Sequence, residues 1–194
     1  MSDIENWLAE GSLNSDGRAN EVVDLVLAHP QALEDVLACL ESPNPVVRGH
    51  AGDALEKIGR ERPADFLPHL AFLQKIALRE PIAMTRWHLA MLFGHLSIYP
   101  EVIPSLKEAL LTLLEDRHFF VRSWTITSLA IIACLYPEHH AEILNAIAPL
   151  VQAGNAALRK RAVKALEALT TNLEFPKGWI KSRYVRNALA DKTG

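Results

Sequence analysis

The chain has 194 residues, 49% of them hydrophobic and 22% charged, with a formal net charge of −3. That balance supplies enough apolar surface for a sizeable core and excludes a disordered chain. No apolar run reaches the roughly 18 residues of a membrane span; Arg86 and His88, for example, interrupt the stretch before Leu89.

In chain order, Ser2 to Glu10 and Gly17 to Ala28 read as a degenerate first helical pair, with Val22, Val23, Val26 and Leu27 on one apolar stripe. The start carries Asp3, Glu5 and Glu10 where a secretory leader needs positive charge, so a soluble cytoplasmic protein is expected. Proline and small polar residues then divide the chain into helix pairs of about 30 to 41 with 45 to 60, 63 to 79 with 83 to 98, 100 to 115 with 118 to 135, and 137 to 153 with 155 to 171. Pro68, Pro104 and Pro149 fall inside the first helix of three pairs and predict a bend there. Trp179 to Ala190 predicts a last short helix. The sequence thus divides into residues 1–29 as an N-terminal capping pair, 30–172 as four repeats, and 173–194 as a basic C-terminal cap, all in one domain. Cys39 and Cys134 sit among apolar helical neighbours in different repeats, which gives no support to a disulfide framework or a thiolate metal cage.

Four arginines mark the repeat: Arg48, Arg86, Arg122 and Arg159, spaced by 38, 36 and 37 residues. The third, sixth and seventh positions after each return one apolar face: Ala51, Ala54, Leu55; Leu89, Leu92, Phe93; Thr125, Ser128, Leu129; Ala162, Ala165, Leu166. A period of this length built from two helices predicts an all-α solenoid, whose usual work is to offer a long surface to a partner.

Asn44-Pro45-Val46-Val47-Arg48 with Ala51, Ala54, Leu55 and Ile58, echoed at Asp116 to Leu129 and Asn155 to Leu169, resembles the HEAT-repeat family. The resemblance implies a right-handed α-α superhelix of about four to five pairs plus a capping helix. It also implies that each arginine hydrogen-bonds an acidic or amide residue of its own or a neighbouring repeat, forming a structural ladder. Glu80 and Asp116 stand six residues before their arginines, Asn44 and Asn155 four before; the Asp116 to Arg122 spacing permits a pair across one turn. The second unit departs most, with Met84-Thr85 before its arginine and Leu92-Phe93 in place of Ala-Leu.

Function is sought on the face of each second helix that points away from the core. At 100° per residue that face holds the positions one, two, five, eight, nine and twelve after the arginine. The first repeat places Gly49, His50, Asp53, Glu56, Lys57 and Arg60 there, and the fourth Lys160, Arg161, Lys164, Glu167, Ala168 and Thr171; both rows are expected to be polar and solvated. The middle repeats place Trp87, His88, Met91, His95, Trp124, Thr127, Ile131 and Cys134 there. An apolar, aromatic patch of this kind marks a contact site unless another part of the chain covers it. The expected partner is a protein or peptide segment gripped by Trp87, Met91, Trp124 and Ile131, with His50, His88 and His95 supplying hydrogen bonds.

The eight histidines offer no His-x-x-x-His pair and no completed ligand set, so no metal or other cofactor is expected. Charge is polarised: residues 1 to 45 hold nine acids and one base, whereas residues 159 to 194 hold nine bases and three acids. The basic end, Lys160, Arg161, Lys164, Lys181, Arg183 and Arg186 interleaved with Trp179 and Tyr184, suits either a capping helix or phosphate contact with nucleic acid, and opposite ends permit head-to-tail association. Among HEAT-type enzymes, a DNA glycosylase needs an Asp at the apolar centre, where the projection places none. An iron hydroxylase needs His-Glu dipeptides, which are absent. A bilin lyase needs only an apolar groove with histidine, and it stays open as the enzyme-class alternative. A non-catalytic scaffold is the reading these residues favour.

Overall fold

The computed structural model describes residues 3–171 and 174–193. Two short helices come first, α1 (Asp3–Leu8) and α2 (Ala19–Ala28). Four pairs follow: α3 (Leu33–Ala38) with α4 (Pro45–Glu61), α5 (Leu70–Arg79) with α6 (Ala83–His95), α7 (Ile103–Leu114) with α8 (Phe119–Leu135), and α9 (His140–Ile147) with α10 (Ala156–Thr171). α11 (Arg183–Thr193) is the last described helix, and no strand occurs among the described residues. None of the described helices is long and apolar enough to cross a membrane.

The two helices of a pair differ in kind. The second helices α4, α6, α8 and α10 are α-helical throughout, over 17, 13, 17 and 16 residues. The first are composite: 3-10 turns at Pro30–Ala32, Pro63–His69, Pro100–Val102 and Pro137–His139 each lead into the α-helix. Proline accounts for this, since its missing N–H suits the first turn and its ring clashes with a full α-helical predecessor. Pro68 and Pro149 lie in 3-10 segments and Pro104 in the first turn of α7. The expected bend inside a continuous helix is therefore a change of helix type instead.

Asn44 and Asn155 cap α4 and α10, whereas Glu80 and Asp116 brace the turn just before α6 and α8. Asn44 Oδ1 accepts from the Val46 N–H at 2.9 Å, Glu80 Oε1 from Ile82 at 2.9 Å, Asp116 Oδ1 from His118 at 2.7 Å and Asn155 Oδ1 from Leu158 at 3.0 Å. The bonds from Val46 and Leu158 satisfy first-turn N–H groups that have no partner within the helix. The second helices then pack side by side, α2 on α4, α4 on α6, α6 on α8 and α8 on α10, while the first helices form the outer layer. Between the layers Leu55, Ile58, Leu89, Leu92, Phe93, Leu129, Ile132, Ala162 and Leu169 are buried. The approach of α4 to α6 is close: a Cβ at Gly52 would lie 3.0 Å from Thr85 Cα.

The arginines form rungs between repeats. Arg48 Nε donates to Glu80 at 3.1 and 3.0 Å, and Arg86 donates to Asp116 at 2.6 and 3.0 Å. Asp116 therefore serves the arginine of the preceding repeat; the pair with Arg122 allowed by spacing does not form. Arg122 donates instead to Leu114 O at 2.8 Å, and Arg159 to Ala153 O and Gly154 O at 2.7 and 2.9 Å.

Candidate functional site: the inner helix face and the segment across it

Each of α4, α6 and α8 has a neighbouring helix on both sides and its own first helix behind it, and α10 has a neighbour on one side. Only a narrow inner stripe remains open, much less than the half-helix the projection assumed. This geometry moves several expected site residues out of the open face.

His50 is fully buried. Its Nδ1 lies 2.8 Å from Leu8 O, and its Nε2 3.0 Å from Ser12 O and 2.8 Å from Ser15 O, so the α1–α2 connection closes around the ring. Gly17, at φ 51°, lets that connection pass close by, since a Cβ there would sit 2.6 Å from His50 Cε1 and 2.5 Å from Glu10 O. His50 thus has no ring nitrogen to offer a partner, which corrects its expected role. The first-repeat row is also not solvated: Asp53 and Glu56 are buried.

Those acids hold a charge network between α4 and α6. Glu56 accepts from His95 Nε2 at 2.8 Å and from Arg60 Nε at 2.9 Å. Burial alone would raise its carboxyl, but the hydrogen bonds from His95 and Arg60 outweigh that and bring it down to about 2. His95 is consequently spoken for inside the chain rather than free for a ligand. Lys57 Nζ bridges Asp53 and Asn20, at 2.7 and 2.8 Å, and His88 Nε2 lies 3.5 Å from Asp53. Burial pushes the His88 imidazole below the usual histidine range, against the upward pull of Asp53 and Glu56. An aspartate therefore does reach the second repeat, contrary to the projection. Among the described residues, no group of three or more His, Cys, Asp or Glu side chains is placed to hold a metal ion. Burial raises both cysteine thiols to about 11.

Met91 and Ile131 are buried too, and what covers them is the chain's own C-terminal segment. Met91, His95, Trp124, Thr127, Ser128 and Ile131 meet Trp179, Ile180 and Lys181, with about 10 Å³ of space left between them, room for no more than about one water molecule. At one end the Arg161 guanidinium is held between two indoles, 4.6 Å from the Trp124 ring and 4.5 Å from that of Trp179, and it donates to Thr127 Oγ1 at 2.6 Å. Burial lowers the Arg161 group to about 10. At the other end Ser182 Oγ donates to Arg60 O at 3.1 Å, and Arg183 lies 3.5 Å from Glu61. Val185 then packs with Ile131 and Leu135 in a small cluster separate from the main core. The segment thus crosses the inner face from α10 to α4, and α11 lies back over α8; the helix expected to cap the array's end covers its groove.

Arg186 repeats a local motif. Its Nη1 donates to Ile180 O and Lys181 O, at 3.0 Å each, six and five residues earlier, as Arg48 does to Ser42 O and Pro43 O and Arg159 to Ala153 O and Gly154 O. Ser182 stands in the cap position, accepting from Tyr184 N–H at 3.3 Å. Val185-Arg186 is a fifth Val-Arg-like pair opening a helix, legible in the sequence but lying 27 residues after Arg159 and so outside the period. With Arg161 between indoles, Arg186 on carbonyls, Arg183 near Glu61 and Lys164 on Glu167, four of the six expected basic-end residues are engaged within the chain.

What stays open is the N-terminal half of the inner face. Trp87 is half-buried and Phe120 is 45% exposed, while the His88 side chain beside Trp87 keeps only 12% of its surface exposed. The Trp87 ring lies 5.3 Å from Phe120, 5.4 Å from His88 and 5.9 Å from His118, an aromatic platform across α6 and α8. The Nδ1 atoms of His88 and His118 are buried without a hydrogen-bond partner. Phe119 and Phe120 belong to this platform; the projection missed them because they precede Arg122. A larger cleft of about 370 Å³ lies elsewhere, at the turns beside Arg79, Pro81 and Arg117; the Arg86–Asp116 rung forms part of its wall.

No protein-family model matches the sequence, and no curated protein matches it. Among solved structures, the chain is similar to computationally designed armadillo repeat proteins for modular peptide recognition, with a TM-score of 0.59 and 23% identity over 85% of this chain and 72% of that one. At that identity the likeness speaks for the fold, an armadillo-like helical-repeat solenoid.

Proposed function

We propose that the chain is a non-catalytic binding module that takes an extended segment of another protein along the inner faces of α6, α8 and α10. The observation that carries this reading is the self-contact: residues 179–182 already lie across these helices with an aromatic ring on Arg161 and a hydroxyl on the end of α4. A surface that holds one irregular, non-helical segment in this way has the chemistry to hold another. The solved neighbour was designed for peptide recognition, which fits the same use of this fold. Trp87 and Phe120 form the accessible part of the path, and large aromatic side chains supply contact area at small entropic cost.

The test is to pan a random peptide library against the full-length protein and titrate an enriched peptide. Trp87→Ala and Phe120→Ala should each weaken binding by about 2 kcal/mol, roughly 30-fold, with helical content kept. An enriched peptide whose affinity ignores both substitutions would place the site elsewhere.

A further inference from the structure

The segment across the groove has a chemical grammar. Trp179 meets the only cation the groove presents to it among the described contacts, Arg161, at the α10 end. Ile180 packs on the small cluster of Ile131, Leu135 and Val185. Ser182 starts a helix and binds Arg60 O, and Arg183 comes next, beside Glu61 at the α4 end. The aromatic and the cation are thus four residues apart, and Arg161 at the α10 end with Glu61 at the α4 end gives the direction of reading.

The segment is also self-contained. Ser182 caps α11 and Arg186 clamps the turn before it, so the conformation is made by the tail's own residues. Val185, Ile180, Ala188 and Leu189 join a small cluster with Ile131 and Leu135 apart from the main core, while Phe175 and Trp179 rest against the main core itself. Its outward side is polar: Lys177, Lys181, Arg183, Arg186 and Lys192 are exposed. An element with a solvated outer side, whose helix packs on a side cluster, opens at lower free energy than the core it rests on.

We propose that the C-terminal half of the inner face is a recognition site for a partner segment of the pattern aromatic, aliphatic, any residue, Ser or Thr, Lys or Arg, and that residues 174–193 hold this site closed until such a segment displaces them. This rests on the groove reading above. It adds the partner's chemistry and a gate. Tethering places the tail at an effective concentration of about millimolar, so a free segment competes poorly until the tail is loosened.

The experiment uses the full chain as wild type and as a Trp179→Ala/Val185→Asp release variant. The probe is a fluorescein-labelled peptide copying residues 174–194, followed by anisotropy. The release variant should bind it at least tenfold more tightly than wild type, and adding Arg161→Gln, or using a probe with Trp179→Ala, should remove at least tenfold. A folded release variant that binds the probe no better than a scrambled peptide overturns the proposal. If the double substitution unfolds the array, hydrogen exchange on wild type decides: amides of 184–193 opening ahead of α6 and α8 support the gate, and exchange only with the whole array overturns it. Sedimentation adds a further outcome, since a release variant or wild type that dimerises by trading tails would make a second copy the occupant and overturn the claim of a different partner. Library peptides seated on Trp87 and Phe120 should bind both forms alike. Their failure would count against the groove reading itself, and failure of the tail probe alone only against the gate.

Discussion

Gly17 illustrates how much a single position decides. Its positive φ and its contact with His50 and Glu10 O leave no room for a Cβ. Gly17→Ala should therefore cost about 1–3 kcal/mol from the left-handed backbone and the overlap together, measured by urea denaturation, with the His50 ring resonances shifting as the α1–α2 connection loosens. Acid acts on other residues. The His88 imidazole is held below its ordinary range, so its contribution is whole above about pH 6.5 and drains away as pH falls through the folded value. Glu56 contributes fully above the ordinary carboxyl value of 4.5 and loses that contribution as pH falls towards 2. Stability should thus decline steadily from pH 7 to pH 3. Glu56→Gln, which leaves His95 and Arg60 poorly matched, should cost on the order of 3 kcal/mol at pH 7, and the gap to wild type should narrow below pH 4.5. A gap that stays constant would show that the carboxylate charge is not what holds these three groups. None of this is written in the spacing of residues: His50, Asp53 and Glu56 occupy positions that a single-helix projection assigns to solvent, and only the neighbouring helices remove them from it.

At the level of the helix pair, the period was readable because the array repeats one packing problem, and each solution needs a small or aliphatic residue at the same offsets from an arginine. The arginine's partner was not readable. Glu80 and Asp116 look like companions of Arg86 and Arg122, six residues on, but each carboxylate braces the turn before its own helix and reaches the arginine of the repeat before. Sequence distance within one turn hides a contact between turns. The two kinds of arginine should differ in weight. Arg86 is buried against Asp116 and Glu80 O, and Arg86→Ala should cost on the order of 3 kcal/mol by leaving a carboxylate unpaired. Arg122 satisfies only Leu114 O, so Arg122→Ala should cost about 1 kcal/mol. Equal losses in urea titrations would refute the distinction.

Across the molecule, the fold was legible and its wrapping was not. The apolar middle of the inner face could be read from Trp87, Met91, Trp124 and Ile131, but which segment meets part of it depends on a three-dimensional return of the chain. Ser182 finds Arg60, 122 residues earlier. Solenoid stability is a sum over neighbours, and each repeat ordinarily feels only the next. The tail breaks that rule by touching α4, α8 and the Trp124–Arg161 junction at once. Unfolding followed at a probe on α4 and a probe on α10 should therefore coincide in wild type and separate in the Trp179→Ala/Val185→Asp form. Coincidence in both would assign the coupling to the helix stack alone.

The Ser182–Arg60 bond also has a mechanical side. An open stack of helices behaves as a spring, each joint adding a little give, and its curvature follows whatever it holds. A strap fastened from the last repeat to the first fixes the chord of that arc. Drawn apart by its two ends, this chain should yield first by the strap peeling away at small force, and only then lengthen as a compliant coil.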